Sequence, residues 1–134
     1  MNENDLALFL DSLERCMKND RFISIFYDIF LSSSCEIPAF FADTNFSRQR
    51  RILKSALYET ITVTVRRIAD LSALSGLSRR HQALQIEPRH YDLWIQSLIS
   101  AVERCDPHYD RDVGRVWREA FQPAIDYMKD GNNG

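Results

Sequence analysis

Apolar side chains recur at steps of three and four along most of this chain, a period that fits one face of an α-helix and not the alternation of a strand. Leu6, Phe9, Leu10, Leu13 and Met17 mark a first helix, which Asn4 or Asp5 would cap and Asn19-Asp20 would end. Phe22, Ile23, Phe26, Tyr27 and Phe30 mark a second, strongly aromatic one. It runs out at Ser32-Ser33-Ser34, where hydroxyls compete for the backbone. Residues 36–41 read as a short helical turn with Pro38 tolerated near its start. Beyond Asp43 and Thr44, a long helix over about 46–67 carries Phe46, Gln49, Leu53, Ala56, Leu57, Ile61 and Val65 on one stripe. The β-branched run Ile61-Thr62-Val63-Thr64-Val65 also has strand character, but it lies inside the helical pattern without a turn signal and is read as helix.

Leu71, Leu74, Leu77 and His81 suggest a shorter helix weakened by Gly76. Pro88 opens another with Tyr91, Trp94, Ile95, Leu98, Ile99 and Val102, which stops before Asp106-Pro107. The last carries Val113, Val116, Trp117, Ala120, Phe121 and Ile125, and Pro123 is expected to kink it or start a new segment. Residues from about 129 to 134 read as a flexible tail. The sum is one all-α domain over 1–134, a length that suits a single core.

Composition narrows the functional classes. Lys+Arg at 17 against Asp+Glu at 19 leaves a net charge of −2, which argues against a broad nucleic-acid surface. Cys16, Cys35 and Cys105 are odd in number and lack C-x-x-C spacing, so no disulfide framework or zinc site is expected. No apolar run has the length of a membrane span, and the start of the chain lacks the basic front of a signal peptide, so a cytoplasmic protein is expected. There is no H-E-x-x-H, no glycine-rich phosphate loop and no G-x-S-x-G elbow. What stands out is one histidine near a helix end among many inward-facing aromatics. A helical pocket of Phe, Leu and Tyr with one imidazole is how proteins hold haem.

Four stretches carry a more specific pattern: Phe26-Tyr27-Asp28-Ile29-Phe30, Glu36-Ile37-Pro38-Ala39-Phe40-Phe41, Gln49-Arg50-Arg51-Ile52-Leu53 and Leu77-Ser78-Arg79-Arg80-His81, followed by Ile86, Pro88 and Tyr91. Phe41 stands fourteen positions after Tyr27, His81 thirty-two after Gln49, and Tyr91 ten after His81. In this joint spacing, which extends to Trp117, the chain resembles the bacterial globins, especially the haem domain of flavohaemoglobins. The resemblance implies an all-α globin fold, with helices A, B, C, E, F, G and H in a 3-over-3 helical sandwich around haem b (iron protoporphyrin IX). It makes His81 the proximal ligand of the haem iron, with Leu77 one turn earlier against the porphyrin. Tyr27 and Gln49 become the distal pair that stabilises a bound gas. Phe41 becomes the haem-stacking phenylalanine, with Phe40 as its neighbour. Leu53 falls over the distal face, Ile86 at the proximal haem edge, and Tyr91 and Trp94 on the inner wall. Trp94 is bulkier than the aliphatic residue common there, which implies a smaller ligand cavity.

Arg48, Arg50, Arg79 and Arg80 are candidates to pair with haem propionates, although a solvated face accounts for any one of them. His90 and His108 read as surface residues. Two departures from the family pattern stand out: a short connection from Phe41 to Gln49, and no counterpart late in the last helix of the proximal glutamate. No reductase portion or signalling output is expected in the chain. The function implied is reversible, high-affinity binding of dioxygen, with nitric oxide, carbon monoxide or sulfide as further ligands, in a monomer or homodimer that meets neither nucleic acid nor membrane. Nitric oxide dioxygenation would need an external reductase. The alternative is a haem-based gas sensor or interaction module acting through a partner protein.

Overall fold

A computed structural model of the chain describes residues 2–66, 79–81 and 84–132, with the backbone alone at 59–66 and 131–132. Its helices are α1 (Glu3–Lys18), α2 (Phe22–Ser32), α3 (Ile37–Phe40), α4 (Phe46–Arg66), α5 (Pro88–Cys105) and α6 (Arg111–Asn132). Residues 79–81 are helical too, and no strand occurs among the described residues. Of the expected helix through Leu71, Leu74, Leu77 and His81, only its last residues are thus described.

Side chains at the helix starts set the boundaries. The Asn2 side chain accepts the Asp5 N–H at 2.8 Å, so Asn2 caps α1, in place of the expected Asn4 or Asp5. Asp5 is engaged elsewhere: its carboxylate takes the Arg115 guanidinium of α6 at 3.0 Å. Asn45 accepts the Arg48 N–H at the start of α4, and Asp110 accepts the Val113 N–H at the start of α6. The backbone of α4 stays helical through the β-branched run at 61–65. There the tertiary setting overrides a weak local preference. Pro123 does not divide α6, which runs on through the expected tail to Asn132. Lys129 Nζ meets Asp92 Oδ1 of α5 at 2.8 Å and ties down that last stretch.

Helix α2 packs on α5, α5 on α6 and α1 on α6, while α3 rests on α2 and α4 meets both α2 and α6. An aromatic series runs through the interior. Trp117 stacks on Phe121 with centroids 5.9 Å apart, Phe9 meets Trp117 edge-on at 5.1 Å, and Trp94 bridges Phe121 and Phe26 at 5.8 Å each.

The buried face of α1 is Phe9, Ser12, Leu13 and Cys16, so the apolar stripe read from the sequence is rotated to admit a serine. Ser12 Oγ accepts the Trp117 indole N–H at 2.8 Å and donates to Asp106 Oδ2 at 2.6 Å. Arg15 Nε donates to Asp106 Oδ1 at 2.6 Å, and the His108 N–H caps the same oxygen at 2.9 Å. Burial pushes the Asp106 pKa up, but the bonds from Arg15, Ser12 and His108 outweigh it and hold the carboxyl below its ordinary value. One buried carboxylate therefore joins α1, α6 and the corner between α5 and α6.

A second local device ends the helical residues at 79–81. Ile86 N–H donates to the His81 carbonyl at 3.0 Å, and Gln85 between them adopts a φ of 61°. This is a Schellman closure with glutamine where glycine is usual.

Asp106→Ala is expected to lower the unfolding free energy by about 2–4 kcal/mol, because it strands the Ser12 hydroxyl and the Arg15 charge. Urea denaturation checks this. A carboxyl whose folded-state pKa is lowered contributes stability that is complete above the ordinary carboxylate range, about 4, and lost as pH falls through the lower folded value. Asp106→Asn should therefore flatten the acid limb of the stability profile. Gln85→Gly is expected to raise stability by about 0.5–1 kcal/mol by relieving a left-handed non-glycine residue, read from the same denaturation midpoint.

Candidate functional site

A cavity of about 310 Å³ opens between α2, α3, α4, α5 and α6, with His81, Leu84 and Ile86 on its remaining side. Its volume falls at the lower end of small-molecule and cofactor pockets, about 300–1,000 Å³. Tyr27, Phe41, Gln49, Leu53, His81, Ile86, Tyr91 and Trp94 all line it, so the fold brings together every site residue read from the sequence that is described. Leu77 lies outside the described residues. Phe30, Phe40 and Phe121 complete much of the aromatic wall, and Ala124, Ile125 and Met128 of α6 form the apolar floor. Ile52 and Leu84 line the cavity yet are exposed, which places an opening between α4 and the turn after His81.

Two polar groups of opposite chemistry face this apolar space. Tyr27 and Gln49 reach it from α2 and α4: Gln49 Nε2 donates to Tyr27 Oη at 3.2 Å, while among the described residues the phenol proton meets the Gln49 backbone carbonyl at 3.5 Å. That second contact is too long to be strong, so the proton can be re-aimed into the cavity. Burial pushes the Tyr27 pKa up, against a smaller lowering by Gln49, which keeps the hydroxyl a donor at neutral pH. Phe41 and Phe46 hold the ring edge-on at 6.0 and 5.9 Å.

His81 supplies the other group. Its Nδ1 lies 3.1 Å from Tyr91 Oη of α5, and Nε2 makes no hydrogen bond to a described residue. Burial lowers its pKa, so the imidazole is neutral at pH 7 and keeps a lone pair. With the proton on Nδ1 and donated to Tyr91, that lone pair sits on Nε2, the arrangement of a metal-ligating histidine. Among the described residues no group of three His, Cys, Asp or Glu side chains could hold a bare ion. An imidazole nitrogen with no hydrogen bond to a described residue, in a mostly apolar cavity, instead suits a metal whose other donors arrive with it in an organic macrocycle.

Other expectations need revision. His90 is buried, not a surface residue, and it belongs to the cavity wall. Its Nδ1 accepts the Glu87 N–H at 2.9 Å, its Nε2 lies 2.9 Å from Glu36 Oε2, and Phe40 meets the ring edge-on at 5.1 Å. Position 90 is the third of a helix that Glu87 caps and Pro88 opens, where a side chain can reach back to the cap N–H, and that spacing was a usable signal. His108 is exposed, as expected. Arg48, Arg79 and Arg80 are exposed, Arg50 donates to Ser47 Oγ at 3.3 Å, and none of the four lines the cavity.

No family model matches the chain. Among solved structures it is similar to the crystal structure of a protein from Pseudomonas aeruginosa PAO1 described as structurally highly homologous to a human hemoglobin. The TM-score is 0.89 and the identity 30%, over 96% of this chain and 98% of that one. An all-α frame around an apolar cavity lined by His81, matched in sequence and in space over nearly both full lengths, makes this chain a member of the globin family, a bacterial globin.

Proposed function

We propose that this globin binds haem b and through it dioxygen, with nitric oxide, carbon monoxide and sulfide as competing ligands. The observation that carries this reading is the presence, in one apolar cavity, of a neutral imidazole backed by Tyr91 and a phenol–amide pair. Bound haem supplies reversible iron coordination of a small gas.

His81 Nε2 would hold the iron, and the Nδ1 contact with Tyr91 Oη fixes the ring's rotation, with Nδ1 as the donor when Nε2 offers its lone pair. Phe41, Leu53, Ile86 and Trp94 offer apolar surface to the porphyrin and exclude water, which keeps the local dielectric low. Leu77, four positions before His81 in the sequence, joins this set only through the family resemblance. In such surroundings a hydrogen bond from Tyr27 Oη to the polar end of a ligand is strong, and Gln49 Nε2, donating into Oη, orients the phenol and strengthens its proton as a donor. Two linked donors support tight binding and slow release, which suits scavenging or sensing more than bulk transport. Nitric oxide dioxygenation fits the same pocket only with a separate reductase.

Reconstitution with hemin tests the first part. The wild-type chain is expected to develop a Soret band with an axial imidazole signature, and His81→Ala to lose that signature. A wild-type chain without a Soret band overturns the reading. Tyr27→Phe is expected to speed dioxygen release from the haem-loaded protein by about tenfold to a hundredfold, the factor for losing a strong hydrogen bond. Stopped-flow displacement measures it, and an unchanged rate removes the donor role.

A further inference from the structure

Helix α3 has four residues, far too few to be stable by itself. Its Pro38 and Ala39 are exposed while Ile37 and Phe40 line the cavity, so one turn of chain separates cavity from solvent on this side. Its main packing partner is α2, leaving its cavity side to be secured by something else.

That tie is His90. The Glu87 N–H points into Nδ1, so Nδ1 carries the lone pair and the proton must sit on Nε2. There it donates to Glu36 Oε2 at 2.9 Å, directly before α3. A buried ring with one fixed tautomer thus grips the start of α3, and Phe40 rests edge-on against its face. Arg89 Nη2 also donates to both Glu36 oxygens, at 2.7 and 2.8 Å, but its side chain is 61% exposed and such a pair contributes little. The bond from His90, ahead of the charge of Arg89, holds the Glu36 carboxyl below its ordinary range.

We propose that His90 is a positioning residue: bonded to Glu36 and set behind Phe40, it holds α3 against α5 and thereby sets how fast small ligands enter and leave the cavity. The kinetic part rests on the haem reading above, whereas the clamp itself does not.

Carbon monoxide rebinding to the haem-loaded protein after flash photolysis, together with amide hydrogen exchange at residues 39–41 in apoprotein and loaded protein, tests it. Glu36 is partly exposed, so Glu36→Ala leaves the core intact. It is expected to speed both rebinding and exchange about threefold to tenfold, the factor for losing one such bond. Glu36→Gln keeps an acceptor for Nε2–H and should restore most of the wild-type behaviour, and His90→Phe, which keeps the ring packing, should match Glu36→Ala. Arg89→Ala should change little. Unchanged rebinding and exchange in Glu36→Ala overturn the proposal, as does an Arg89→Ala variant that reproduces the whole effect. A wild-type chain that takes up no haem defeats the functional reading instead, and exchange in the apoprotein still decides the clamp.

Discussion

The buried carboxylate of Asp106 is the contact on which the arrangement of helices turns. A charge out of water is tolerated only when its oxygens are fully bonded, and here they are met by Arg15, Ser12 and the His108 N–H. Those partners come from α1 and from the corner between α5 and α6, so satisfying one group fixes the relative placement of three helices. Ser12 in turn accepts the Trp117 indole N–H, Trp117 stacks on Phe121, and Phe121 lines the cavity. The polar anchor and the ligand-sized space are thus two ends of one continuous packed series.

That division explains the use made of the eight phenylalanines. Phe9, Phe22 and Phe26 are fully buried core, Phe30, Phe40, Phe41 and Phe121 face the cavity, and Phe46 packs behind it against Tyr27 and Phe41. Aromatic rings suit both tasks, since a large rigid side chain loses little conformational freedom per unit of area it buries. Within the cavity the polar groups are few and three of them are pinned: Tyr27 by Gln49, His81 by Tyr91, His90 by Glu36 and the Glu87 N–H. Each pairing fixes which atom carries the proton or how the ring is turned, and so what chemistry that side chain can offer.

Much of this was legible in the sequence because it is local. Period and punctuation located the helices, including Pro88 at the first position of α5, and the spacing of Tyr27, Phe41, Gln49, His81 and Tyr91 pointed to one pocket; all five line one cavity. Capping was less legible: Asn2, Asn4 and Asp5 are equally good caps by type, and Asp5 is drawn away by Arg115, 110 positions distant. The period does not pick out Ser12, because a serine amid Phe9 and Leu13 looks like the polar edge of a stripe. Its burial depends on partners 94 and 105 positions away.

His90 marks the boundary most clearly. By type and by its place beside a helix start it resembles a solvated residue, and its burial follows from where α3 comes to rest. The sequence by itself determined the helical period, the helix starts that depend on proline, and the set of side chains able to make an apolar pocket with one imidazole and one phenol. Tertiary structure alone decided which polar groups are buried and with whom they pair. A hydrogen bond or ion pair between distant segments has no period and no local signature, and its energy exists only once packing has removed the water between its partners.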